Sequence, residues 1–73
     1  GNTIDVAEEI QKMEAEIDYL EGFLRSVMKK LGNEKFVANA KPEVVAVERK
    51  KRADAESKLE LLRENVAKLK DNA

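Results

Sequence analysis

Arg25, Lys29, Lys30, Lys35, Lys41, Arg49, Lys50, Lys51 and Arg52 put nine cations between Gly22 and Arg52. Three acids, Glu34, Glu43 and Glu48, oppose them, so the segment carries a net +6. Residues 1–21 hold one Lys and seven acids, net −6, and residues 53–73 hold four cations and five acids, net −1. A chain whose total is only −1 is therefore strongly polarised along its length. The chemistry open to such a cluster is electrostatic. A phosphate backbone meeting it releases counterions, giving binding that weakens steeply with salt. Nucleic acid is the leading candidate ligand, although charge density alone does not read a base sequence.

Other chemistries are poorly supplied. The chain has no Cys and no His, which removes the usual metal sites, thiol reactions and imidazole catalysis. Ser26 and Ser57 have no base at a useful spacing, and Gly1, Gly22 and Gly32 form no phosphate loop. No catalytic residue, metal ligand or cofactor site is assigned. Without disulfides, a reducing cytoplasm is permitted. No apolar run approaches the roughly 20 residues that span a bilayer, and there is no signal-peptide core, so no membrane partner is expected. Gly1 reads as a cloning remnant and both ends as cuts from something larger.

The elements that must carry the cations are read from periodicity. Thr3, Val6, Ile10, Met13, Ile17, Leu20, Leu24, Val27 and Leu31 follow one another at steps of 3 and 4, an unbroken heptad seam. Val45, Glu48, Arg52, Ala55, Leu59, Leu62, Val66, Leu69 and Ala73 repeat the pattern. Asp5 is a suitable N-cap with Glu8 closing a capping box, and Gly32 can take the left-handed conformation just past the helix end. Pro42 suits a first helical position and Glu43 the positive end of the helix dipole. These signals predict helix one over about 6–31 and helix two over about 42–70, with a link at 32–41 in which Asn33 caps one turn through Glu34–Ala38. So short a link favours antiparallel neighbours. The expected fold is all-α, a two-helix antiparallel coiled-coil hairpin with a short helical turn in its connecting loop. It forms one domain over residues 1–73, with the basic group at its tip. The seams then meet in layers such as Leu31 with Val45, Leu24 with Arg52, Leu20 with Ala55 and Ile17 with Leu59.

Near the tip the seam departs from apolar. Glu48 and Arg52 stand at d and a, one turn apart, where they can pair with each other. The simpler expectation is that the Arg stem covers Leu24 while its head reaches water; the sharper one is a seam left open for a ligand. Gly22 falls on the solvent face with no intramolecular reason for its presence. Tyr19, Phe23, Met28 and Leu61 flank the seam, and two helices cannot hide them all, so weak self-association or docking on a larger body is expected.

The stretch Asn33–Lys51, NEKFVANAKPEVVAVERKK, resembles the distal turn and second-helix start of the C-terminal coiled-coil arm of bacterial valyl-tRNA synthetases. The shared pattern is Leu31, Gly32, then Asn33-Glu34-Lys35-Phe36-Val37, Ala40-Lys41-Pro42, Glu43-Val44-Val45 and Glu48-Arg49-Lys50-Lys51. Ile4-Asp5-Val6 and Glu21-Gly22 are similar upstream. Arg52 and Ala55 depart from the Leu and larger aromatic common at those positions, and Lys41 is an extra residue before the Pro. The resemblance implies a tRNA-binding appendage of a cytoplasmic class I synthetase, reaching the outer corner of tRNA where the D and T loops meet. It further implies that aminoacylation with valine, editing, ATP and Mg²⁺ belong to the remainder of that valine–tRNA ligase and not to this piece, which is no enzyme by itself. The RNA-binding set follows from charge and position instead: Arg25, Lys29, Lys30, Arg49, Lys50 and Arg52, joined by Lys35 and Lys41 of the link. Phe36 is expected to pack under the turn rather than to stack on an RNA base.

Two other functions fit parts of the pattern. A protein-interaction or dimerisation hairpin would use the Tyr19, Phe23, Met28 and Leu61 flank and bind with little salt dependence. An appendage of another RNA-binding protein, such as the N-terminal arm of seryl-tRNA synthetase, would keep the salt dependence, but Asn33–Val37 and Pro42–Val45 argue against it.

Overall fold

The computed structural model describes residues 3–72, which form three helices: α1, Thr3–Leu31; α2, Glu34–Asn39; and α3, Pro42–Asp71. Helices α1 and α3 pack along their lengths, α2 folds back on α1, and the rod measures 53 × 14 × 14 Å. This is the all-α hairpin that the two seams require.

Burial follows the heptads. Leu20, Val27, Val45, Glu48, Ala55, Leu59 and Val66 are buried, and each is a seam residue. A side chain every 3.5 residues keeps returning to the same stripe of a 3.6-residue helix, so the stripe finds its partner helix and sheds water. Val6, Ile10, Met13 and Ile17 of α1 and Leu62 and Leu69 of α3 are half-buried, as two helices without a third layer must leave them. Among seam residues with described side chains, Arg52 alone is exposed. The outermost seam members, Thr3 and Ala73, lie outside that set.

Ion pairs across the interface mark the register. Lys70 Nζ donates to Glu14 Oε2 at 3.0 Å, and Arg63 pairs with Glu21, so partners seven apart on one helix meet partners seven apart on the other, in reverse order. Both lie on the e side of the seam. Lys58 meets Glu16 at 3.3 Å on the opposite, g side.

The turn between the helices is built by side-chain capping. Asn33, extended at φ −88° and ψ 107°, accepts hydrogen bonds on its Oδ1 from the Lys35 and Phe36 amides at 3.0 and 3.3 Å. That satisfies two donors left open at the start of α2. Phe36 and Val37 are half-buried beneath this turn. Pro42 opens α3, where no amide is needed, and the Lys41 carbonyl accepts from Val44 and Val45 at 2.9 and 3.2 Å.

Two local expectations are corrected. Helix α1 is already helical at Thr3, so Asp5 lies within its first turn and does not cap it. A cap needs non-helical backbone, and the box with Glu8 therefore cannot close; the acid still faces the positive end of the dipole. Gly32 does not adopt a left-handed conformation, since no described glycine has positive φ. Its amide donates to the Met28 carbonyl at 2.8 Å and the Asn33 amide to Lys30 at 3.1 Å, which ends α1 right-handed and hands the turn to extended Asn33. What glycine supplies here is room, because a Cβ would stand 3.2 Å from the Met28 oxygen.

Gly22 has no such constraint. A Cβ there would meet only the Arg25 guanidinium at an ordinary 3.7 Å. Gly22→Ala is expected to stabilise the hairpin by about 1 kcal/mol, read as a higher urea midpoint with unchanged slope. A lower midpoint would mean that α1 needs the glycine's backbone freedom.

Candidate nucleic-acid interface

All eight residues assigned to RNA contact are exposed, and all lie at the end of the rod where α1 stops and α3 starts, with Lys35 on α2 and Lys41 at the α2–α3 junction. The structure then divides them. Arg25, Lys29, Lys35, Lys41 and Arg49 form no ion pair among the described residues, whereas Lys30, Lys50 and Arg52 are each engaged with a carboxylate.

Glu48 organises one part of this arrangement. It is buried, and its Oε2 accepts from Lys51 Nζ at 3.0 Å while Oε1 faces Lys30 Nζ at 3.6 Å. The expected Glu48–Arg52 pair is absent. Arg52 instead directs Nε toward Glu56 Oε2 at 3.5 Å, because Glu48 turns into the seam while Arg52 turns out of it. A carboxylate withdrawn from water needs compensation: Lys51 supplies a hydrogen bond to Oε2, while Oε1 accepts none and has the Lys30 ammonium as a charge partner only. Lys50 pairs with Asp54 at 3.1 Å. The +6 of the central segment is thus partly neutralised by Asp54 and Glu56, which lie just beyond its end.

The Lys51 hydrogen bond, with help from the Lys30 and Lys51 charges and against the opposing effect of burial, holds the Glu48 carboxyl below its usual 4.5. A lowered folded value means that the charged form favours the fold. Its contribution is complete above the unfolded value and is lost as pH falls through the folded one. Acidification below about pH 4.5 is therefore expected to loosen the tip, and Glu48→Gln to reduce the acid-induced fall in melting temperature followed by circular dichroism. Parallel acid profiles for the two proteins would remove Glu48 from that role.

Two shallow depressions along the e side meet at Glu56. The distal one is lined by Leu31, Val37, Arg49, Arg52, Ala53 and Glu56, and the next by Glu21, Leu24, Arg25, Met28, Glu56, Leu59 and Arg63. The first lies where exposed Arg52 leaves the seam unfilled. Across the seam a third is lined by Leu20, Phe23, Lys51, Asp54, Ala55 and Lys58. Tyr19 and Leu61 stand well exposed at 70% and 60%, as their flanking positions suggest, and Val44 and Val47 join them. Sequence reasoning passed over Asp54 and Glu56, although their i,i+4 spacing from Lys50 and Arg52 was visible. The distal depression had no local signal, since α2 contributes one of its walls. Among the described residues no acidic cluster could hold a metal ion, and no helix is long and apolar enough to cross a membrane.

Comparison with known proteins adds a family to this geometry. Residues 5–70 match the family described as the valyl tRNA synthetase tRNA binding arm. The chain is 58% identical over 71 residues to the valine–tRNA ligase of Bacteroides fragilis (strain YCH46), covering 97% of this chain and 8% of that protein. It is 57% identical over 70 residues to the valine–tRNA ligase of Phocaeicola vulgatus, covering 96% and 8%. The valine–tRNA ligase of Agrobacterium fabrum is 46% identical over 63 residues, 86% of this chain and 7% of that one. The chain thus spans less than a tenth of the length of these relatives. No solved structure matches it.

Proposed function

The chain belongs to the valyl tRNA synthetase tRNA binding arm family, and on that premise we propose that it is the arm of a longer valine–tRNA ligase, whose basic tip holds the outer corner of tRNA. The observation that carries this is the cluster of five unpaired cations, Arg25, Lys29, Lys35, Lys41 and Arg49, at one end of a rod 53 Å long. A rigid rod sets these charges far from its other end. They can then meet phosphates that a body at that end does not reach, and steer the tRNA into a productive pose. The attachment of valine, its specificity and the use of ATP and Mg²⁺ fall to the remainder of the ligase, and the setting is the cytoplasm. The arm alone binds weakly, because the tethered body supplies the effective concentration.

Amide-shift mapping of the labelled chain titrated with tRNA, at low and then moderate salt, tests this. Shifts confined to residues 25–52 that fade with salt are expected. Their absence at low salt, or their spread over the acidic base, would defeat the proposal and favour a protein-docking hairpin that uses exposed Tyr19, Leu61 and Val47.

A further inference from the structure

On the g side of the hairpin, α3 carries a second repeat of steps of 3 and 4 that the seam with α1 does not use. Its members are Val44, Val47, Lys51, Asp54, Lys58 and Leu61, and all six are exposed. Beside them on α1 stand exposed Tyr19 and half-buried Phe23. Of the five described large apolar side chains that are exposed, Tyr19, Val44, Val47 and Leu61 share this side, and Met28 alone lies on the other. Between Lys51, Asp54 and Lys58 the surface dips to a floor of Leu20, Phe23 and Ala55. Apolar area gathered on one side of a small rod marks a contact surface.

The order of residues along this side indicates what covers it. Read outward from the midpoint between Lys51 and Asp54, the two halves of the repeat complement each other. Asp54 answers Lys51 with opposite charge, the Lys58 stem answers Val47, and Leu61 answers Val44. Phe23 lies opposite that midpoint, for it lines one depression with Lys51 and Asp54. Seven residues to either side of Phe23 stand Glu16 and Lys30, again opposite in charge. A surface that pairs with itself about a twofold axis must match in this way, each residue suiting the one at the mirrored position.

We propose that this side binds a second copy of the chain, antiparallel, about a twofold axis passing between the two Phe23 rings, with α1 against α1 and α3 against α3. Leu61 then meets Val44 of the second copy, Asp54 meets its Lys51, and Glu16 its Lys30. Charge sets the direction. A parallel pair would lay one +6 tip on the other, whereas the antiparallel pair lays each tip along Glu14, Glu16, Asp18 and Glu21 of the second copy. Each charge at the contact already has a carboxylate or ammonium of its own chain, so the pairs between copies fix register while apolar burial supplies affinity. The matched stretch from Val44 to Leu61 is about 26 Å long, half of the 53 Å rod. Such a contact falls short of the roughly 800 Å² per partner of a standard interface, so the dimer forms in the micromolar range. The free cations Arg25, Lys29 and Arg49 lie away from this side and stay open, and the inference does not rest on the tRNA reading.

Sedimentation equilibrium of the chain, from about 10 µM to about 1 mM, is expected to pass from one chain to two. The double variant Tyr19→Ser/Leu61→Ser, both side chains being well exposed in the hairpin, is expected to weaken the dimer about tenfold. Met28→Ser, on the other side, should change it by less than about twofold. Melts at low concentration check that each variant folds. The chain has no Cys, so the direction can be read by cross-linking. Chains carrying Val44→Cys and Leu61→Cys, mixed under mild oxidation, are expected to give the mixed disulfide well ahead of either self-pair. In the proposed register each self-pair is about 26 Å apart, far beyond disulfide reach. Self-pairs that form as fast would overturn the register and with it the inference. A chain that stays single at about 1 mM, or a double variant that associates like the parent, overturns it too and leaves this side to a different protein surface.

Discussion

Replacing Arg25, Lys29, Lys35, Lys41 and Arg49 together by Gln is expected to weaken tRNA binding by about 100-fold or more near 0.1 M salt. Replacing Lys30, Lys50 and Lys51 should cost far less. Each cation that neutralises a phosphate contributes roughly 0.7–0.9 to the slope of log affinity against log salt. The first set is unpaired, so its contribution is complete. Lys30 and Lys51 must first give up Glu48, and Lys50 must give up Asp54, so much of their attraction is already satisfied within the fold. The slope should therefore fall by about 3.5 to 4.5 for the first set and by about 1 for the second. Fluorescence anisotropy across a salt series measures both. Equal slopes for the two variants would show that formal charge, and not free charge, governs the contact. The first set is exposed and unpaired, so its loss should change fold stability little, whereas removing Lys30 and Lys51 strips buried Glu48 of its partners and is expected to destabilise the tip, so the second variant is checked for helicity.

The largest effect on the fold is expected from Leu59→Ala. Leu59 is 2% exposed, the most deeply buried of the described side chains, and sits at a seam position where α1 closes over it. Removing it costs about 2–5 kcal/mol through lost burial and the cavity left behind. A two-helix domain of this size has little more than that to lose, so the variant should be largely unfolded at room temperature. Leu61→Ala, two residues on and 60% exposed, should melt with the parent. Thermal melts of the three proteins decide the matter. A Leu59 variant that melts with the parent would mean that the hairpin does not depend on its central layer.

The contrast between Leu59 and Leu61 shows how much was legible in the chain before it folded. Every buried residue among those described is a seam residue, because the 3–4 spacing and the helical repeat are properties of one strand of sequence. Asn33 and Pro42 were legible for a similar reason, since a cap side chain and a missing amide act within three or four residues. Asp5 and Gly32 read less well. Each residue type permits a helix end of a given kind, but the neighbouring backbone decides whether the end forms there.

The candidate interface was legible as a cluster and illegible as a set of roles. Nine cations around a bend can be counted, and the antiparallel hairpin brings them to one end. Which of them stay free could not be counted, because Lys30 finds Glu48 only across the packed interface. Nor do the four arginines, scattered from residue 25 to residue 63, share any local pattern. Their common groove exists because α1 and α3 run side by side in one register, with α2 closing its distal end. The sequence by itself determined the helices, their apolar stripes and the polarity of charge, since these depend on repeats and caps a few residues long. Only the tertiary structure decided that Lys30 is neutralised by Glu48 and which side carries the arginines, since both depend on what the opposing helix places within reach.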